Sequence, residues 1–192
     1  MAGPRFISTR DEILASARRE IAHHGLEGAT LRGVARHAGV DPNLIRHYFG
    51  SKANLFREAI EVDIDPDQLT AAALRGGTQQ AGRRVLALLL RYWENPRTRP
   101  ASVARLSAAL TSDEAAGLAR QQLLEQVFVP VARQTSPDRP ELRAALATSQ
   151  ALGMALMRYL VREPVLASIG PVDLSELLGD AVQHSMSGRL PG

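Results

Sequence analysis

Residues 30–52 constrain this chain most: Thr-Leu-Arg-Gly-Val-Ala-Arg-His-Ala-Gly-Val-Asp-Pro-Asn-Leu-Ile-Arg-His-Tyr-Phe-Gly-Ser-Lys. Two short helical patterns meet there at Ala38-Gly39-Val40. Thr30 suits the N-cap of the first helix and Asp41 that of the second. Pro42 falls at a first turn, where a missing N–H costs nothing. Val34, Ala35, Ala38, Val40, Leu44 and Ile45 can form a small core between the two helices. Ala35 and Gly39 are small where the helices must approach closely and turn. The spacing predicts a helix-turn-helix, a unit that sets its second helix into the DNA major groove. Arg32, Arg36, Asn43, Arg46 and His47 are left outward. Arg can bond bidentately to guanine edges and Asn to adenine edges. Thr30 and Ser51 start helices whose free N–H groups favour phosphate, and Lys52 adds positive charge beside the second of these starts.

Charge is distributed to match. The 192-residue chain has a formal net charge of +3. Residues 1–60 hold nine Arg and Lys against six Asp and Glu, whereas residues 61–192 hold fourteen of each. A basic region on a neutral body suggests a polyanion partner. Absence of cysteine excludes disulfides, thiolate metal sites and cysteine nucleophiles. No apolar run reaches the roughly 18 residues of a membrane span, and the N-terminus lacks a signal-peptide core. A cytoplasmic protein without membrane contact is expected. Neither a nucleophile–base pattern, a glycine-rich phosphate loop nor a metal-ligand spacing is present, so no enzyme, metal or cofactor is expected.

The rest of the chain reads as helix. The first helix is expected from Ser8 or Thr9 to Gly25, with Glu12 placed for a capping box and Ile13, Leu14, Ala17 and Ile21 inward. Ser51 caps a fourth helix that points Leu55, Phe56, Ala59 and Ile60 inward. Asp65-Pro66-Asp67 starts a short helix ending at Gly76-Gly77. Longer helices follow over about 79–94, 100–110, 113–134, 141–162 and 172–187, with 164–171 irregular. The expected fold class is all-α. A three-helix helix-turn-helix domain at 1–62 precedes a larger helical domain at 63–192.

Many of these positions together resemble the N-terminal signature of the TetR (tetracycline-repressor) family of transcriptional regulators. The resemblance rests on Thr9-Arg10, Ile13-Leu14, Ala17, Gly25, Ala29-Thr30, Val34, Ala35, Ala38-Gly39-Val40, Tyr48-Phe49, Ser51-Lys52 and Leu55-Phe56. It implies phosphate contacts at Thr30, Tyr48 and Lys52. It also implies base or groove contacts from Arg32, Pro42, Asn43, Arg46 and His47. Two departures stand out: the family often has an aromatic residue where Arg46 stands, and His-Phe is commoner than Tyr48-Phe49. The first changes the expected operator, since a long cation replaces a stacked ring.

Residues 79–187 resemble one group of TetR-type C-terminal domains through 90–96, 107–116 and 143–150. Such domains bind a small ligand in a helical cavity and dimerise through their last two helices. Tyr92, Trp93, Phe128, Met154, Met157 and Tyr159 are the candidate pocket residues, because such sites are mostly apolar. Arg91 and Arg158 could anchor an anion, but they read more readily as solvated surface positions. Ala144, Thr148, Ala151 and Ala155 make a stripe of small side chains along one helix. Leu177, Leu178, Ala181 and Val182 give the last helix an apolar face. These eight are the expected dimer interface, two helices per chain forming a bundle. The functional expectation is a homodimeric repressor that binds a palindromic double-stranded operator and is released by a small-molecule effector. The alternative is an activator, or a regulator controlled by a protein partner.

Overall fold

The computed structural model describes residues 8–61 and 65–190. Among them, regular structure is helical. The chain forms two compact units, Met1–Val62 with Pro100–Ala116, and Asp63–Arg99 with Gly117–Gly192. The expected boundary between residues 62 and 63 falls outside the described residues. The expected contiguous second domain differs from the observed division, because 100–116 pack with the first unit.

The first unit contains α1 (Thr9–Gly28), α2 (Leu31–Ala38), α3 (Pro42–Phe49) and α4 (Lys52–Ile60), together with most of a later helix. Ser8 caps α1, accepting from the Asp11 N–H, while the Asp11 carboxylate reaches back to the Ser8 N–H. The capping-box acid is therefore Asp11 and not Glu12, since N3 is counted from Ser8. Gly25, expected to end the helix, instead kinks it at φ +71°, and helical turns resume to Gly28. Ile13, Ala17, Ile21, Val34, Ile45, Leu55, Phe56 and Ala59 fill the core. Ala104, Ala108 and Ala115 from the middle of the chain join them. This explains the division: the segment 100–116 buries its small face among residues of α1 to α4.

The second unit contains α5 (Pro66–Leu74), α6 (Ala81–Glu94), α9 (Val129–Thr135), α10 (Pro140–Ala155), α11 (Pro164–Ser168) and α12 (Pro171–Ser187). Most of α7 (Arg99–Ala109) and the start of α8 (Asp113–Ala119) belong to the first unit. The run expected as one helix over 113–134 is α8, a π-helical stretch at Arg120–Phe128, and α9. Another π-helical stretch, Leu156–Val161, follows α10. The region 164–171, expected to be irregular, forms α11, whose start is capped by the Glu163 carboxylate. α12 packs on α6 and on α10. Its crossing with α6 is close: a Cβ on Gly82 would lie 2.6 Å from Gln183 Cα.

Candidate nucleic-acid interface

The turn between α2 and α3 is built from caps. The Thr30 hydroxyl accepts the Gly33 N–H at 3.0 Å and starts α2. Gly39 ends α2 in the left-handed region at φ +66°, where its N–H bonds the Ala35 carbonyl. Asp41 then caps α3, accepting from the Asn43 N–H at 2.7 Å. Ser51 caps α4 in the same way, 3.1 Å from the Asn54 N–H. Each cap fixes the direction of one short helix, and the shared core fixes the angle between them.

Burial sorts the side chains. Val34, Ala35, Ile45 and Phe49 are buried, and Ala38, Val40 and Leu44 are half-buried. Thr30, Arg32, Pro42, Asn43, Arg46, His47, Tyr48 and Lys52 are all exposed. Pro42, Asn43, Arg46 and His47 lie along one outer row of α3, and Arg32 is exposed on α2. Tyr48 is 41% exposed and meets the His47 ring edge-on at 5.6 Å between centroids. The Lys52 ammonium stands 5.2 Å from the centroid of the Phe56 ring, which settles its stem at the start of α4. Arg10 ties α1 to α4 through Glu58 at 2.6 Å, and its guanidinium lies over Phe49. Arg18 donates to the Ala59 carbonyl at 3.0 Å, closing the end of α4. Burial lowers the Arg18 pKa, partly offset by Glu58 and Asp11. Thr30 is more constrained than the sequence suggested. Its hydroxyl proton and its backbone N–H both point to the carboxylate of Glu20, a buried residue that sequence reasoning passed over.

In the second unit, Trp93, Phe128, Met154 and Tyr159 are buried and Tyr92 is half-buried. Met157 is exposed, which corrects its place among pocket residues. The inner face of this helical run passes through Ala151, Met154, Ala155, Arg158 and Tyr159, and 157 falls on the other side. Trp93 and Tyr159 meet edge-on at 6.1 Å. Arg158 is not solvated: it is buried and donates to Glu94 at 2.8 Å and to the Leu166 carbonyl. Tyr159 donates to the same Glu94 oxygen at 2.9 Å. Burial alone would raise the Glu94 pKa, but the hydrogen bonds from Tyr159 and Arg158 outweigh it and hold the group below its ordinary value.

The dimer-interface expectation needs a larger correction. Ala144, Thr148, Ala151 and Ala155 are all buried within the single chain, and so is Val182. The small stripe serves packing inside one subunit, where α10 meets α12 and α9. Of the other expected residues, Leu177 and Ala181 are exposed and Leu178 is half-buried. The opposite face of α10 carries exposed Leu142, Leu146, Ser149 and Gly153, continuing to Met157.

The sequence agrees with known proteins over the same stretches. Residues 13–59 match the family described as bacterial regulatory proteins, tetR family, and residues 79–186 match the tetracyclin repressor-like C-terminal domain. The chain belongs to the TetR family of transcriptional regulators. A solved structure of a TetR-family regulator from Streptomyces coelicolor A3 is 30% identical, with 96% of this chain and 99% of that one aligned and a TM-score of 0.57. NalD, a secondary repressor of a multidrug efflux pump in Pseudomonas aeruginosa, is 19% identical and shares the fold at a TM-score of 0.67, over 92% of this chain and 94% of that one. The HTH-type transcriptional repressor AcnR of Corynebacterium glutamicum is 47% identical over 55 residues, covering 29% of each chain. The repressor SCO4008 of Streptomyces coelicolor is 32% identical over 96 residues, 45% of this chain and 50% of its own. The chain thus spans half or less of the length of these curated relatives. As a TetR-type regulator it binds DNA through its helix-turn-helix, and the family is not enzymatic. Among the described residues, no helix is long and apolar enough to cross a membrane, and no cluster of potential metal ligands occurs.

Proposed function

We propose that this TetR-family regulator is a repressor that binds a palindromic operator as a homodimer and leaves it when a small molecule occupies the second unit. The observation that carries the reading is the outer row of α3. Pro42, Asn43, Arg46 and His47 are exposed together on a helix held by buried Ile45 and Phe49. Arg46 and Asn43 read base edges, Arg32 assists from α2, and Tyr48 and Lys52 hold phosphates on either side. Thr30 orders the start of α2, whose amides face the same strand.

A single helix-turn-helix buries little DNA surface, so two copies across a dyad serve adjacent half-sites about one helical turn apart. The outward apolar faces of α10 and α12 suit that pairing. Leu142, Leu146 and Leu177 are large, exposed and apolar, and Leu177 is 67% exposed. Gly153 lies among them with open space where a Cβ would be. A mid-helix glycine costs about 1 kcal/mol relative to alanine, and close passage of a partner helix gives it a use. For the effector, Trp93, Phe128, Met154 and Tyr159 supply apolar surface and Glu94 a polar anchor, with Tyr92 at the edge. The effector acts by population shift, favouring a conformation whose recognition helices are wrongly spaced.

Selection of DNA from a random pool by the purified protein tests the reading. A palindrome bound by a dimer, with affinity lowered by some small molecule, is the expected result. Recovery of no preferred sequence, or binding as a monomer, overturns it.

A further inference from the structure

Glu20 lies on α1 with only 3% of its surface exposed. A buried carboxylate is costly unless paired and hydrogen-bonded. Its Oε1 sits 3.4 Å from both the Thr30 N and the Thr30 Oγ1, at the start of α2. Among the described residues its Oε2 accepts no hydrogen bond, and it faces His37 Nδ1 at 3.2 Å, from the last turn of α2. Thr30 and His37 are seven positions apart, yet one carboxylate reaches both. Gly33 makes that possible. Helical side chains lean toward the N-terminus, so the His37 ring leans back over residue 33, four positions earlier. A Cβ on Gly33 would overlap Glu20 Oε1. The missing side chain leaves a slot that the carboxylate enters from α1, and there its Oε2 meets the imidazole of His37.

We propose that Glu20 is a positioning residue for operator recognition, clamping α2 onto α1 by gripping its N-cap Thr30 and, through His37, its last turn. The clamp sets the tilt of α2, and through the turn at Gly39 the tilt of α3. It also holds both Thr30 donors inward, so Thr30 acts as a link in the clamp. This rests on operator binding by the helix-turn-helix.

The test is the ratio of affinities for the selected palindrome and for a scrambled duplex of equal length. The ratio cancels any general change of charge. Glu20→Gln keeps shape and removes the anion. His37→Ala removes the other partner from an exposed site where folding is safe. Each is expected to lower the ratio about fivefold to tenfold, with melting temperatures near the parent's. The double variant should be no worse than either single one, because both break one clamp. A ratio within twofold of the parent's in His37→Ala overturns the proposal, as do losses that multiply in the double variant, which would mark His37 as a direct DNA contact. Gly33→Ala adds a check independent of DNA. It should lower the melting temperature in the parent and much less in a Glu20→Ala background; equal losses in both would also overturn the clamp. Preference of the parent for its palindrome tests the operator reading separately.

Discussion

Thr111 closes the kink of α1 at Gly25. Its Oγ1 accepts the Leu26 N–H at 3.1 Å, and a Cβ on Gly25 would lie 2.8 Å from the same oxygen. Nearby, the Ser107 hydroxyl donates to the Ile21 carbonyl at 3.1 Å. Gly25 stands at φ 71°, ψ 177°, a region essentially restricted to glycine. Gly25→Ala should therefore destabilise the first unit by about 1–3 kcal/mol, read by thermal or urea unfolding. Adding Thr111→Ala should recover only the part due to overlap. A stable Gly25→Ala protein would show that the kink is not needed.

Arg46→Ala should cost about 1–3 kcal/mol of operator affinity and relax preference at one base position. Lys52→Ala should instead weaken all duplexes alike and reduce the salt slope by about 1. Titrations against the palindrome and its single-base variants at several salt concentrations separate the two. Identical behaviour of both variants would mean that the division between base and phosphate contacts is wrong.

Leu146→Glu places a charge on the outward face of α10 and should yield a folded monomer with weak operator binding, measured by sedimentation and circular dichroism. Ala151→Glu, on the inward face, should instead unfold the subunit, because an unpaired charge is driven into a packed interior. The opposite pattern would restore the small stripe as the interface.

Arg143, buried on α10, donates to Asp138 at 2.8 Å and to the carbonyls of Ser185 and Gly188 at the end of α12. Hydrogen bonds from Arg143 and Ser136 hold the Asp138 pKa at about 2, below its ordinary 3.8. A depressed carboxylate stabilises the fold above its unfolded pKa and loses that contribution as pH falls. Unfolding measured between about pH 4 and pH 2 should show the loss, and Asp138→Asn should flatten it. Arg143→Ala should cost about 2–3 kcal/mol at neutral pH, since charged hydrogen bonds are lost from a buried site.

Tyr159→Phe removes one of the bonds that depress Glu94, so the Glu94 pKa should rise toward its ordinary value. The associated stability, present at neutral pH, should then be lost earlier on acidification. Carboxyl titration by NMR checks the shift. An unchanged Glu94 would leave Arg158 and the nearby Arg99 as its controlling partners.

The helix-turn-helix was legible in the sequence because its signals are local. Thr30, Asp41 and Ser51 cap helices that begin within one or two residues of them, and Gly39 meets a steric demand of its own turn. The inward positions Ile13, Ile21, Leu55 and Phe56 follow from helical period alone. Hence the outward row Asn43, Arg46 and His47 follows from the sequence alone.

Other features depended on distant partners. Nothing near Glu20 in the chain announces a buried acid, because its slot is made by Gly33 and its partner is His37. Arg158 looks like a surface cation until Glu94 and the Leu166 carbonyl are brought to it. The period of α10 defines two faces, one small and one carrying leucines. Periodicity alone cannot say which neighbour covers which face. The sequence by itself determined the helices, their caps and the reading head. Only tertiary structure decided that Ala144, Thr148, Ala151 and Ala155 turn inward, that Leu142 and Leu146 turn outward, and that 100–116 pack with the first unit. The physical reason is that burial depends on contacts between residues far apart in the chain, whereas caps and turns depend on residues beside one another.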